Sequence, residues 1–249
     1  MVKIIFSDFD DTLLYYHNGD RQFSSYQLEI LKKLRESGIK FCIISGRCVS
    51  FFFQFSELLP FVDYIIGSNG GCIYDVKLQK FIYQNSILDD DYQFIMKYAI
   101  EKNYSILLNH LDKQYLLDLE NKNVDVSCEQ VILSFPEENL SEVLESFGRK
   151  KHIIINNMTR RNGYCSIDIN HIDTSKGKTV CWLCRFLKID LHDTVAFGNE
   201  ENDISMFSVV GKSVAVGNSS DKIKQNSDDV SLNCENNGVF KYIEDNILR

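Results

Sequence analysis

The chain has 249 residues, 44% of them hydrophobic, which is enough to bury a substantial core and to form two domains. Its formal net charge of −8 argues against nonspecific nucleic-acid binding, which needs a basic face. No apolar run approaches the roughly 20 residues that span a bilayer, and Asp8 interrupts the first apolar stretch too early for a secretory signal. We therefore expect a cytoplasmic protein with neither a nucleic-acid nor a membrane partner.

Strands and helices are predicted to alternate over the first 80 or so residues. The continuously apolar segment VKIIFS predicts a strand buried on both faces, FCIIS predicts a second buried strand, and VDYIIGSNG predicts a third strand that runs into a turn. Between them, SSYQLEILKKLRESGIK and VSFFFQFSELL predict helices, the first with a serine cap at its start and Gly38 at its end. This alternation favours a parallel sheet with right-handed crossovers.

The pattern changes near Tyr83. A helix (89–103), a hairpin (104–110 and 114–120), a strand (129–135), a second helix (136–148) and two further strands (151–157 and 163–169) indicate helices on one face of an antiparallel sheet. From Ser175 the alternation of strands and helices resumes, with helices predicted at 175–187, 202–210 and 220–226 and strands at 194–198 and 213–217. We therefore predict an α/β fold, with a parallel-sheet core over 1–83 and 169–249 and an inserted α+β cap over 84–168.

Carboxylates crowd the end of the first strand. Asp8 and Asp10 come directly after the apolar run, at the end that a parallel sheet presents to its ligand. Such a pair is explained if Mg²⁺, which prefers oxygen ligands, neutralises it, or if one carboxylate attacks a phosphoryl group. The same residues are also compatible with a solvated acidic turn or a helix N-cap.

Four motifs in register distinguish between these readings. DFDDT (8–12), ISGR (44–47), SKG (175–177) and FGNEENDISMF (197–207) occur in this order along the chain. Together they resemble the haloacid dehalogenase-like (HAD) phosphatase superfamily, and more narrowly its Cof-type branch, which carries a large C2 cap between the second and third motifs. The resemblance covers essentially the whole chain and implies a Rossmann-like core.

The resemblance implies a role for each motif residue. Asp8 is the expected nucleophile, Asp10 the general acid/base with its carboxyl free for proton transfer, and Lys176 the ammonium that stabilises both Asp8 and the transferring phosphoryl group. The residues expected to bind phosphate are Phe9, Ser45, Gly46, Lys176 and Asn202, and those expected to hold Mg²⁺ are Asp8, Asp10 (through its backbone carbonyl), Asn199 and Asp203. Arg47 is either a phosphate contact or one half of an ion pair.

One motif position departs from the family. Asn199 stands where an aspartate is usual, so its amide oxygen can coordinate Mg²⁺ but brings no negative charge. The departure bears on metal affinity more than on the reaction class.

Substrate selection is expected to lie in the cap. Arg160, Arg161 and Asn162 form its most polar cluster, although Asn-Gly equally indicates a plain hairpin turn. Asn69 lies near the hinge and is either a contact to substrate or cap, or a turn residue.

The function expected from this resemblance is that of a monomeric, Mg²⁺-dependent phosphatase acting on small phosphorylated metabolites, with sugar phosphates favoured. A phosphomutase on the same scaffold and a phosphometabolite-binding regulator are the alternatives.

Overall fold

A computed structural model describes residues 1–15, 22–117 and 127–249. The first part of the chain builds half of the core. Its regular elements are β1 (Ile4–Ser7), α1 (Ser25–Glu36), β2 (Lys40–Ile44), β3 (Tyr64–Gly67), β4 (Cys72–Asp75) and β5 (Lys80–Gln84). Helix α1 begins at a capping box in which the Ser24 hydroxyl accepts from Gln27 N, and the Gln27 side chain accepts from Ser24 N.

The predicted helix over 49–59 is wrong. Two 3₁₀ turns, Val49–Gln54 and Leu59–Phe61, occupy this segment. A 3₁₀ turn repeats every three residues, so Val49, Phe52 and Phe55 all face the core, where each is buried. The ring of Phe9 packs against Phe52 and Phe55 at centroid distances of 5.0 and 5.1 Å. Packing of aromatic side chains therefore overrides the weaker α-helical periodicity of this segment.

The middle of the chain forms the cap. Its elements are α2 (Asp89–Lys102), β6 (Ser105–His110), β7 (Lys113–Leu117), β8 (Gln130–Pro136), α3 (Leu140–Gly148), β9 (Ile153–Arg161) and β10 (Tyr164–His171). The strands pair in the antiparallel order β7-β6-β8-β10-β9. Strand β10 continues to His171, beyond the predicted end of the cap at residue 168. Residues 118–120, the end of the predicted hairpin, lie outside the described residues.

The chain then returns to the core with α4 (Lys176–Leu187), β11 (Thr194–Gly198), α5 (Ile204–Phe207), β12 (Lys212–Ala215), α6 (Asp221–Gln225), β13 (Asp229–Val230) and α7 (Gly238–Asn246). The core sheet has the order β13-β12-β11-β1-β2-β3-β4-β5. From β13 to β3 it is parallel, and β4 and β5 form an antiparallel edge. The predicted α/β class with an inserted α+β cap is thus confirmed.

The core and the cap bury separate sets of apolar side chains. Helices α1 and α7 cover one face of the core sheet, and α4 and α5 cover the other. In the cap, α2 and α3 pack on one face of the sheet, which leaves the opposite face to meet the core. Within residues 1–15, 22–117 and 127–249, no helix combines the length and the hydropathy of a membrane span.

Candidate active site

Three neighbouring strands of the core sheet end beside one another. Asp8 follows β1, Ser45 follows β2 and Asn199 follows β11, and β1 lies between the other two. The Asp8 N–H donates to Phe197 O at 2.9 Å, which continues the pairing of β1 and β11 past the last residue of β1. Polar residues from distant parts of the sequence therefore meet at the carboxyl edge of the sheet, where α/β folds bind ligands.

The side chain of Lys176 is buried at this carboxyl edge of the core sheet. The Ser175 hydroxyl caps α4 by accepting from Lys178 N, and Gly177 lets α4 approach α5 so closely that a Cβ there would lie 2.0 Å from Ser205 O. The Lys176 side chain is consequently buried, and its Nζ donates to Asp8 Oδ1 at 2.6 Å. Lys178, two residues along, is exposed and pairs with Asp173.

The same ammonium also contacts the fourth motif. Lys176 Nζ donates to Asp203 Oδ1 at 2.6 Å. Burial would lower the pKa of Lys176, but the carboxylates of Asp203 and Asp8 together raise it above its ordinary value. Lys176 is therefore a permanent cation at neutral pH. For Asp8, the effect of burial outweighs the opposing effect of Lys176, so the pKa of its carboxyl is raised above the usual range.

Asp203 has both carboxylate oxygens engaged. Its Oδ1 accepts from Lys176, and its Oδ2 accepts from the backbone N–H groups of Asn199 at 2.9 Å and Glu200 at 3.0 Å. The side chain is fully buried. In this arrangement Asp203 positions Lys176 and the loop after β11, and direct metal ligation by Asp203 stays a prediction.

Asp10 is bound by an arginine. Arg47 Nε and Nη2 donate to its two carboxylate oxygens at 3.0 and 2.9 Å, and the guanidinium lies over the Phe51 ring, 4.5 Å from its centroid. The expected free carboxyl of Asp10 is thus a bidentate ion pair, and of the two readings of Arg47 the structure favours the ion pair. The planar guanidinium fork matches a carboxylate, which explains why this pair forms.

The buried amide of Asn199 bears on the expected cation. Its Oδ1 is buried and has no hydrogen-bond partner among the described residues. A buried oxygen of this kind is costly unless something binds it, and an amide oxygen suits Mg²⁺. Within the described ranges no three His, Cys, Asp or Glu side chains converge on one point. The predicted ligand set of the Asp8 carboxylate, the Asn199 amide oxygen and the Asp10 carbonyl does not need such a cluster, and it stays a prediction.

A cavity of about 400 Å³ separates this edge from the cap. Its floor includes Asp8, Asp10, Ser45 and Gly46, and its roof is the polar face of the cap sheet. The roof residues are Ile132, Asn157, Thr159, Ser166 and Asp168.

Sequence reasoning missed the roof residues, although a signal was present. In YCSIDI the apolar residues Cys165, Ile167 and Ile169 alternate with Ser166 and Asp168, which places the polar pair on the face away from the cap core.

Other predicted residues have different surroundings. The Phe9 side chain is fully buried in the aromatic core and does not line the cavity, so a phosphate contact from Phe9 stays a prediction for its main chain. Asn202 lines the cavity and donates to Asn69 Oδ1 at 3.1 Å. Arg160, Arg161 and Asn162 lie at the exposed β9–β10 turn, where Asn162 has φ 52°, and they do not line the cavity. The hairpin-turn reading of this cluster is therefore the one the structure favours.

Comparison with known proteins agrees with this architecture. The sequence profile of the haloacid dehalogenase-like hydrolases matches residues 5–131 and 115–243. A phosphoglycolate phosphatase of Methanobrevibacter smithii is 26% identical over 99% of both chains, and a 5-amino-6-(5-phospho-D-ribitylamino)uracil phosphatase of Bacillus subtilis is 23% identical over 99% of this chain and 96% of its own. The solved structure of a HAD subclass IIB sugar phosphatase superposes with a TM-score of 0.83 at 20% identity over the full length of both chains. The chain therefore belongs to the haloacid dehalogenase-like hydrolase family, within its Cof-type phosphatases.

Proposed function

We propose that the protein is a Mg²⁺-dependent phosphatase that hydrolyses monoesters of small metabolites, sugar phosphates among them, through an aspartyl-phosphate on Asp8. The observation that carries the proposal is the pairing of Asp8 with the buried ammonium of Lys176 at 2.6 Å, because Asp8 lies on the floor of a cavity that also contains Asp10. A carboxylate nucleophile, a fixed cation and a second carboxylate are the groups that two-step phosphoryl transfer needs.

In the first step an Asp8 carboxylate oxygen attacks phosphorus, and the bond from phosphorus to the leaving oxygen breaks. Asp10 gives its proton to that oxygen, so the alcohol departs neutral. In the second step Asp10 takes a proton from water as the water oxygen attacks phosphorus, and the bond between phosphorus and Asp8 breaks to release phosphate. Lys176 stabilises the charge that accumulates in both steps. The ion pair of Arg47 holds Asp10 and has to loosen when Asp10 moves its proton.

The charge of the cavity supports a metal requirement. Five carboxylates line it, those of Asp8, Asp10, Asp11, Asp168 and Glu200, whereas Arg47 is the one basic residue among the described lining residues. A phosphate dianion would be repelled from such a site. Bound Mg²⁺ would neutralise part of this charge and polarise the phosphoryl oxygens, and the Asp8 carboxylate, the Asp10 carbonyl and the Asn199 amide oxygen are the groups that would hold it.

The substrate class rests on three further observations. The two relatives are named as phosphatases of small phosphorylated molecules, and the cavity of about 400 Å³ is sized for a small molecule. The roof presents hydroxyl, amide and carboxylate groups, which suit a leaving group that carries hydroxyls.

The test is phosphate release from a panel of sugar phosphates, nucleotides and phosphorylated acids, with Mg²⁺ and with EDTA. We expect metal-dependent release that disappears in Asp8→Asn and persists in Asp173→Asn, the same substitution at an exposed carboxylate outside the cavity. Isomerisation of a sugar phosphate without phosphate release would favour a phosphomutase. Tight binding of a phosphate ester without turnover in saturating Mg²⁺ would favour a regulatory role.

A further inference from the structure

One carboxylate of the cavity belongs to the cap. Asp168 lies on β10, on the sheet face opposite the apolar core of the cap, and the Oδ2 atom of its side chain accepts from Asn69 Nδ2 at 3.0 Å. A Cβ added at Gly46 would lie 3.4 Å from this same Oδ2. The cap therefore directs a negative charge at the turn after β2, where the phosphoryl group is expected to bind.

The position of Asp168 is fixed from the core. Asn69 is fully buried with a left-handed φ of 56°, and its Oδ1 accepts from Asn202 Nδ2 at 3.1 Å while its Nδ2 donates to Asp168. Both polar atoms of the Asn69 side chain are thus used, one toward each domain. This arrangement holds the Asp168 carboxylate in one place, which is what recognition of a specific group requires.

The cations near Asp168 are already committed. Arg47 binds both oxygens of Asp10, and Lys176 lies between Asp8 and Asp203. The polar side chains of the roof beside Asp168 are neutral: Asn157, Thr159 and Ser166. A leaving group with its own negative charge would meet Asp168 with no compensating cation from the described roof, whereas hydroxyl groups would find a carboxylate acceptor.

We propose that Asp168 is a specificity-determining residue, which accepts hydrogen bonds from hydroxyl groups of the leaving alcohol and excludes esters whose leaving group bears a second anion. The proposal rests on the phosphatase function proposed above. It separates this chain from its relative named a phosphoglycolate phosphatase, because phosphoglycolate carries a carboxylate on the group that leaves.

The test compares kcat/KM for sorbitol 6-phosphate with kcat/KM for phosphoglycolate. We expect the wild-type protein to favour the polyol ester by about 100-fold or more, and Asp168→Asn to reduce that ratio at least about tenfold, because a fixed like charge is a strong barrier to a wrong ligand. Asparagine keeps an oxygen to accept from Asn69. The matched control is Glu137→Gln, which removes a cap carboxylate paired with Arg160 outside the cavity and should leave the ratio within about twofold.

Two results would overturn the proposal: a wild-type preference for phosphoglycolate, or the same ratio in wild type and Asp168→Asn. Absence of turnover with every ester, p-nitrophenyl phosphate included, would instead contradict the proposed phosphatase function. The role of Asp168 is then decided by calorimetric binding of the same two esters to Asp8→Asn protein, with and without Asp168→Asn. A ratio of Kd values that favours sorbitol 6-phosphate and falls in the double variant supports the role, and an unchanged ratio contradicts it.

Discussion

The ammonium of Lys176 lies 2.6 Å from Oδ1 of Asp8, and the same ammonium contacts Oδ1 of Asp203 at the same distance. One buried cation thus joins the first and fourth motifs, although 168 residues of sequence separate Lys176 from Asp8. The pairing stabilises the fold, because each carboxylate would be a costly buried charge without it. In the proposed mechanism the same ammonium also stabilises the transferring charge.

Replacing Lys176 with methionine should remove activity and stability together. We expect kcat to fall at least about 10³-fold, because the charge that stabilises the transition state is lost. The free energy of unfolding should fall by about 3–5 kcal/mol, because two buried carboxylates lose their partner. Phosphate release and urea unfolding measure the two effects, and Lys178→Met, on the same helix but exposed, should change neither.

A double variant separates the two roles of Lys176. Adding Asp203→Asn to Lys176→Met removes one of the two buried carboxylates that have lost their cation. This should restore part of the free energy of unfolding while activity stays lost. If the double variant regained activity, the assignment of Lys176 to the chemistry would be wrong.

Replacing Arg47 with alanine should affect turnover more than stability. The guanidinium holds both oxygens of Asp10, so its loss should lower kcat by about tenfold or more through poorer orientation of the acid/base. The pair is partly solvent-exposed, so the free energy of unfolding should change by no more than about 1 kcal/mol. Arg160→Ala, which removes an exposed arginine paired with Glu137, is the matched control. An unchanged kcat in Arg47→Ala would show that Asp10 needs no such support.

Replacing Asn199 with aspartate should tighten the metal site. A charged carboxylate replaces the amide, whose oxygen has no hydrogen-bond partner among the described residues. The Mg²⁺ concentration that gives half-maximal activity should therefore fall about tenfold or more. The rise in Tm on adding Mg²⁺ should grow in parallel, which reports binding independently of turnover. Asn226→Asp, at an exposed position, should leave both measurements as in the wild type. Equal Mg²⁺ dependence in Asn199→Asp and wild type would remove Asn199 from the ligand set.

The stability of the protein should depend on pH through Asp168. Burial raises the pKa of Asp168 from 3.8 to about 6, with Glu200 adding to the rise and Asn69 and Arg47 opposing it. Because the folded state holds this proton more tightly than the unfolded state, stability should fall as pH rises from about 4 to about 6 and then level off. With allowance for partial exposure, the ionised carboxylate costs about 1–2 kcal/mol above pH 6.

Asp168→Asn should therefore have a higher Tm than wild type at pH 7.5, by several degrees, and nearly the same Tm at pH 4. Thermal unfolding in EDTA at the two pH values measures the difference. A difference between the two proteins that is independent of pH would contradict the titration of Asp168. A carboxylate that weakens the fold at neutral pH is the kind of residue retained for function rather than for stability.

Several features of the fold could be predicted from the sequence, because they depend on the local pattern of apolar and polar residues. Apolar segments predicted β1, β2 and β3, and the resemblance of the motifs assigned Asp8 and Ser45 to one site, at the edge where parallel strands end. The change near Tyr83, from alternating strands and helices to a pattern typical of an antiparallel sheet, predicted the inserted cap. Local pattern failed at 49–59, where packing of Phe52 and Phe55 around Phe9 decided the conformation.

By itself, then, the sequence determined the fold class, the insertion of the cap and the motif residues at the sheet edge, because strand ends and helix starts are set by nearby residues. Only the tertiary structure decided that Arg47 binds Asp10, that both Asp203 oxygens are engaged and that Asp168 meets Asn69 across 99 residues of sequence. These contacts depend on how the cap sheet is placed over the core and on which way each side chain turns. No short stretch of sequence encodes that placement, because it is fixed by the packing of the two domains as a whole.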